Sequence, residues 1–168
     1  QDTTYSSAMF LNKGSMTVYS GVKFNSTYNV VSSVLTKDTY TMIRNEGGSL
    51  EIDGAWFDSV YSAREAGFID SYGGYVKIKS GSFTNALGAS AIAVYYGAEL
   101  DITNGTFSGN TASTKTVTTV GNVCANYESG GVITAHDSKT VVAVNGGTFT
   151  NNKSTLKSAS YGGVIAAT

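Results

Sequence analysis

The chain has 168 residues, a formal net charge of −1, 14% charged residues, 20 glycines and no proline. This length suits one domain with a continuous core. The absence of Lys and Arg runs excludes the footprint of a nucleic-acid or anionic-membrane binder, and no stretch approaches the roughly 20 apolar residues of a bilayer span.

Cut at its Gly-x-Phe segments, the sequence repeats itself. Each copy pairs a weak element with a stronger one. The first copy has SAMFLN at 7–12 and SMTVYSGVKFN at 15–25, and the second has YTMIRN at 40–45 and SLEIDGAWFDS at 49–59. The third has AGFIDS at 66–71 and YVKIKSGSFTN at 75–85, and the fourth SAIAVY at 90–95 and ELDITNGTFSGN at 99–110. GGVITAH at 130–136 and TVVAVNGGTFTNN at 140–152 make the fifth, and YGGVIAAT at the end of the sequence opens a sixth.

The alternating apolar positions of the stronger element, such as Leu50 and Ile52 or Val76 and Ile78, predict a short strand with one buried face. Five residues after the second of them comes Phe, as in Ile52 to Phe57, Ile78 to Phe83, Ile102 to Phe107 and Val144 to Phe149; Val18 to Phe24 carries one extra residue. Gly21, Gly81, Gly105 and Gly147 lie between, where a tight turn favours a positive φ; the second copy has Ala55 there. The intervals between copies vary, the longest at 108–128, which places length variation in loops at one edge. The predicted fold is all-β: one domain over 1–168, a right-handed parallel β-helix (β-solenoid) of about five to six coils. Its handedness follows from the general preference of parallel crossovers.

GGTFTNN, NGTFSGN and SGSFTNA, each with a following GGVI or SAI element, resemble the GGAI and FxxN repeats of the polymorphic outer-membrane autotransporters. More broadly they are similar to the right-handed β-helix proteins that include pectate lyases. Strict FxxN matches are Phe107 to Asn110 and Phe149 to Asn152; strict GGVI matches are Gly130 to Ile133 and Gly162 to Ile165. The resemblance implies a cell-surface passenger or adhesin made of parallel coils.

Polysaccharide chemistry on such a fold needs clustered carboxylates, whereas the acids here are scattered singly. Stacking is expected to bring Glu51 to Lys77 and Lys77 to Asp101 or Glu99, an ordinary solvated ladder. His136 is the sole histidine and Cys124 the sole cysteine, so no transition-metal site is expected, and Cys124 reads as a small buried hydrophobe, with an intermolecular disulfide or a reactive thiol as the alternative. No catalytic residue and no cofactor are predicted. Eleven tyrosines are the informative surplus; Tyr72, Tyr95 and Tyr96 are the candidate aromatic strip, either an internal stack or a glycan-binding surface. Asn25, Asn104 and Asn152 begin N-x-Ser/Thr sequons, with Asn25 and Asn152 the better acceptors. Asn85, Asn110 and Asn151 or Asn152 could instead ladder inside turns. Neither end carries a polar cap, so Met9, Phe10, Leu11, Tyr161, Val164 and Ile165 are the candidate self-association ends. The expected role is an extracellular or cell-surface structural or adhesive subunit, joined head-to-tail to copies of itself or to flanking coils. The alternative is a carbohydrate-binding or polysaccharide-degrading module.

Overall fold

The short alternating apolar segments do become strands, and those of successive repeats lie side by side. The computed structural model describes residues 8–25, 41–62, 66–112, 130–155 and 162–167. The first repeat lays down β1 (Ala8–Asn12), β2 (Ser15–Tyr19) and β3 (Lys23–Asn25), and the second β4 (Thr41–Glu46) and β5 (Ser49–Tyr61). The third contributes β6 (Ala66–Tyr72) and β7 (Tyr75–Gly88). The fourth contributes β8 (Ser90–Tyr95), β9 (Glu99–Ile102), β10 (Thr106–Ser108) and β11 (Thr111–Ala112). The fifth has β12 (Ile133–Ala135), β13 (Val141–Val144), β14 (Thr148–Thr150) and β15 (Lys153–Ser154), and β16 (Ile165–Ala167) follows.

All the weaker elements join one six-stranded sheet in the order β1-β4-β6-β8-β12-β16, and the stronger elements form a second, ten-stranded sheet. Every pairing is parallel and joins neighbouring repeats. The chain is therefore all-β with parallel sheets, and no helix occurs among the described residues. In the second and third repeats the second-sheet strand runs unbroken for 13 and 14 residues, with register shifts around Asp53. In the first, fourth and fifth repeats it divides into separate strands at the corner.

In-register stacking turns each repeated position into a column. Met16, Leu50, Val76, Leu100 and Val142 form one aliphatic column, and Val18, Ile52, Ile78, Ile102 and Val144 a second. Phe10, Ile43, Ile69, Ile92, Ile133 and Ile165 line the first sheet in the same way. The aromatic column is the most regular: Phe24, Phe57, Phe83, Phe107 and Phe149 stack at 4.6, 4.8, 4.8 and 4.7 Å between ring centroids, with planes 5–9° apart. These distances match the spacing of hydrogen-bonded strands, so backbone pairing and ring stacking are satisfied by one repeat distance. Phe10 meets Phe24 edge-on at 5.7 Å.

The turn glycines explain why Phe fits two residues later. At Gly105, φ is 142°, and a Cβ would stand 3.2 Å from the Phe107 ring and 3.4 Å from the carbonyl oxygen of Gly81 below. Ala55, the exception, pairs with Gly81 and is fully buried. The extra residue of the first copy is absorbed in the turn after Tyr19, where Ser20, Gly21 and Val22 stand opposite Ala55 before Lys23 pairs with Trp56.

One expectation needs correction. The interval from 108 begins with structure, because Ser108 ends β10 and β11 follows, with Ala112 buried; residues 113–129 lie outside the described residues. The first sheet, for which the sequence sets no burial pattern, is enclosed at its centre: all six residues of β8, and six of the seven in β6, are buried.

Replacing Phe107 by Ala removes the middle of the ring column and should cost about 3–5 kcal/mol, read as a lower urea midpoint. Phe107→Asp, which buries an unpaired charge there, should yield no soluble folded protein. Native-like circular dichroism and an unchanged midpoint for either variant would contradict the column.

Candidate functional site

The outer edge of the first sheet gathers the candidate aromatic strip. Register places Glu46, Tyr72 and Tyr95 in successive strands. His136 comes next, since its N–H donates to the carbonyl of Val94 at 3.0 Å. Tyr72 and Tyr95 lie 5.2 Å apart at 31°, and the His136 ring stacks on Tyr95 at 5.1 Å and 17°. The Arg44 guanidinium carbon sits 4.1 Å from the centroid of the Tyr72 ring. Arg44 Nε also lies 2.7 Å from Glu46 Oε1, and Lys13 Nζ lies 3.0 Å from Glu46 Oε2. The hydrogen bond from Lys13 is the largest influence on the Glu46 carboxyl; burial opposes it, and the charges of Arg44 and Lys13 leave the group below its ordinary range.

Within this row each ring lends a face to its neighbour. Arg44 and Tyr95 flank Tyr72, while Tyr72 and His136 flank Tyr95, which is only 6% exposed. A sugar stacks on an aromatic face, so the row has little face to offer one. Tyr96, at 5.7 Å from Tyr72 and 6.4 Å from Tyr95, is 76% exposed and is the strip residue with open surface. Arg44 and His136 were not read from the sequence as members of this group. Their signal is positional: Arg44 lies two residues before Glu46 on the outward side of the same strand, and His136 follows the last residue of β12.

Asp137 fastens the Tyr96 turn to the next repeat. Its own φ is 75°, and its carboxylate accepts the backbone N–H of Tyr96, of Lys139 at 2.9 Å and of Thr140 at 3.2 Å, together with the Thr140 hydroxyl at 3.2 Å. The Lys139 N–H contributes most to holding this carboxyl below its ordinary range.

The outer face of the second sheet carries the expected ladder with one exchange. Glu51, Lys77 and Asp101 share a register row, and Lys77 Nζ lies 3.9 Å from Asp101 Oδ2. Glu51 pairs instead with Lys79, at 2.7 Å, and Lys79 also lies 4.0 Å from Asp53. Asp101 further accepts from Tyr75 Oη at 3.4 Å and from Asn145 Nδ2 at 3.0 Å. These are solvated pairs, which add little to stability. Among the described residues no group of three His, Cys, Asp or Glu is placed to hold a metal ion.

Buried amides form two ladders. Asn110, fully buried, donates from Nδ2 to the Phe83 carbonyl at 3.0 Å and to Asn152 Oδ1 at 2.9 Å, and its Oδ1 accepts from the Ala86 N–H at 2.9 Å. Asn152 Nδ2 repeats the pattern on the Phe107 carbonyl at 2.8 Å. The two strict FxxN asparagines thus bind carbonyls of the Phe residues one repeat away. Asn85 and Asn151 stand outside this ladder at positive φ, with Asn85 on Asp58 Oδ1 at 2.9 Å. At the opposite corner Asn12 donates to Asn45 Oδ1 at 2.8 Å, and Asn45 to Ser71 Oγ at 3.1 Å. That ladder was not anticipated, although SAMFLN and YTMIRN both end in Asn.

Asn25 and Asn104 are exposed and Asn152 is half-buried. Of the candidate ends, Met9, Phe10 and Leu11 are 55%, 47% and 56% exposed and Ile165 38%, while Val164 is partly buried against the core. Tyr161 and Cys124 lie outside the described residues. No family model, curated protein or solved structure matches the chain.

Asn110→Ala strands the Phe83 carbonyl and the Ala86 N–H and should cost about 1–3 kcal/mol for each buried group left unpaired; an unchanged urea midpoint would refute the ladder. Because the carboxyls of Glu46 and Asp137 bind protons less readily in the folded chain than in the unfolded one, their contribution is present above the ordinary carboxylate pKa. It is lost as pH falls from about 5 toward 2. The urea midpoint should fall over that interval, and less steeply in Asp137→Asn.

Proposed function

We propose that the chain is a structural or adhesive unit of an extracellular surface, a right-handed parallel β-helix whose activity is mechanical persistence and end-to-end association rather than catalysis. Right-handedness is supported by the roughly 98% preference of parallel crossovers for that hand. The observation that carries the reading is the continuity of the columns through the described repeats, five stacked phenylalanines and two aliphatic columns at the strand spacing, a pattern that further strands of the same kind can extend. An exposed parallel edge offers unpaired backbone groups with an apolar column beside them, which suits another strand of the same pattern. The partner is a second copy, or further repeats of the same kind.

A glycan-binding role is the second reading, and the exposed ring of Tyr96 beside Tyr72 favours it. The stacking of Tyr72, Tyr95 and His136 on one another weighs on the structural side.

Electron microscopy of the purified chain over a range of concentrations tests the first reading. Unbranched filaments with a subunit rise of roughly 25–30 Å, five to six strand spacings, are expected. Dispersed particles at every concentration, with retention on insoluble polysaccharide that Tyr96→Ala abolishes, would replace it by the second.

A further inference from the structure

We propose that Asn104 is an N-glycan acceptor on the folded protein and that Asn152, which carries an equally valid sequon, is not. The inference rests on the extracellular reading above.

The two sequons occupy different environments. Asn104-Gly105-Thr106 spans the corner between β9 and β10, where Asn104 and Thr106 are both exposed. Asn104 Oδ1 accepts the Gly105 N–H at 2.8 Å, and its Nδ2 has no partner among the described residues. Among the described residues the side chain thus makes no hydrogen bond that ties one repeat to the next. A saccharide added there leaves the columns and both amide ladders untouched.

Asn152 sits inside a turn. Its Nδ2 donates to the Phe107 carbonyl at 2.8 Å, and its Oδ1 accepts both the Asn110 amide at 2.9 Å and the Asn110 backbone N–H at 3.1 Å. A saccharide on that nitrogen takes one of its two hydrogens and forces bulk into a half-buried bridge between repeats. This reverses the order expected from sequence, where distance from a strand ranked Asn152 above Asn104. The inference does not extend to Asn25, whose Ser26 and Thr27 lie outside the described residues.

The donor is a lipid-linked oligosaccharide. Asn104 Nδ2 forms a bond to the anomeric carbon, the bond from that carbon to the lipid pyrophosphate breaks, and the nitrogen gives up one proton. Thr106 supplies the hydroxyl that the sequon requires.

The test is production of the full chain behind a heterologous secretion leader in insect cells, as wild type, Asn104→Gln and Asn152→Gln. Total luminal and secreted protein is treated with peptide N-glycosidase in ¹⁸O water and mapped by peptide mass. The label should fall on the Asn104 peptide and be absent from the Asn152 peptide. Any glycan-dependent mobility shift assigned to residue 104 should vanish in Asn104→Gln and persist in Asn152→Gln. Asn104→Gln should keep the wild-type urea midpoint while Asn152→Gln lowers it. An unlabelled Asn104, or a labelled Asn152 in protein that unfolds at the wild-type midpoint, overturns the inference. Filaments formed by a chain with an empty Asn104 would overturn it while leaving the structural reading in place, and a labelled Asn104 on a chain that never associates would do the reverse.

Discussion

A parallel strand in this protein has no hydrogen-bond partner inside its own repeat. Each must borrow one from the repeat before and another from the repeat after, and that single constraint organises the molecule. The strands can only pair in register if each repeat presents the same kind of side chain at the same height. Five phenylalanines within 5 Å of their neighbours, 5–9° from parallel, are the visible result. Aromatic pairs add about 0.5–1.5 kcal/mol each beyond the area they bury. The larger effect is on register, since slipping one strand by a residue would turn its entire apolar set outward.

The same constraint decides where polar groups are buried. A turn at each corner leaves carbonyls and N–H groups inside the stack, and an unpaired one is costly. Asn110 and Asn152 meet that demand at one corner, and Asn12, Asn45 and Ser71 meet it at the other. Each amide has both a donor and an acceptor, so it can serve the turn of a neighbouring repeat and the next amide at once. An Asn so used is unlike an Asn on the surface, though both read as polar loop residues in a linear sequence.

Outside the core, the surfaces differ by sheet. The outer face of the second sheet is a mixed-charge ladder in which Lys79, rather than Lys77, satisfies Glu51. The outer edge of the first sheet combines Arg44, Tyr72, Tyr95 and His136 into a stacked row fastened to the following turn by Asp137. The row is largely self-satisfied, which is why glycan recognition ranks below association through the repeated columns as the proposed role.

Much of this was legible in the order of residues alone. Period-two aliphatics, a glycine and a phenylalanine at fixed offset define a strand, a turn and an inward ring by local chemistry, so the strand segments and their columns could be read directly, whereas the amide ladder was one of two readings of its asparagines and included Asn85, which stands outside it. The first sheet was harder to read, because its central strands are buried on both faces and use small residues such as Ala91, Ala93 and Ser90, which carry no alternation. What the linear order could not decide was which of several equivalent residues meet across repeats. The Glu51–Lys79 pair, the placement of Arg44 over Tyr72 and of His136 on Tyr95, the inward turn of Asn152 and the outward position of Asn104 all depend on bulges and corner geometry. Those arise only when one repeat rests on another, because a local shift such as that at Asp53, which slips Lys79 out of the register until Ala55 and Gly81 restore it, re-aims the side chains of the corner alone.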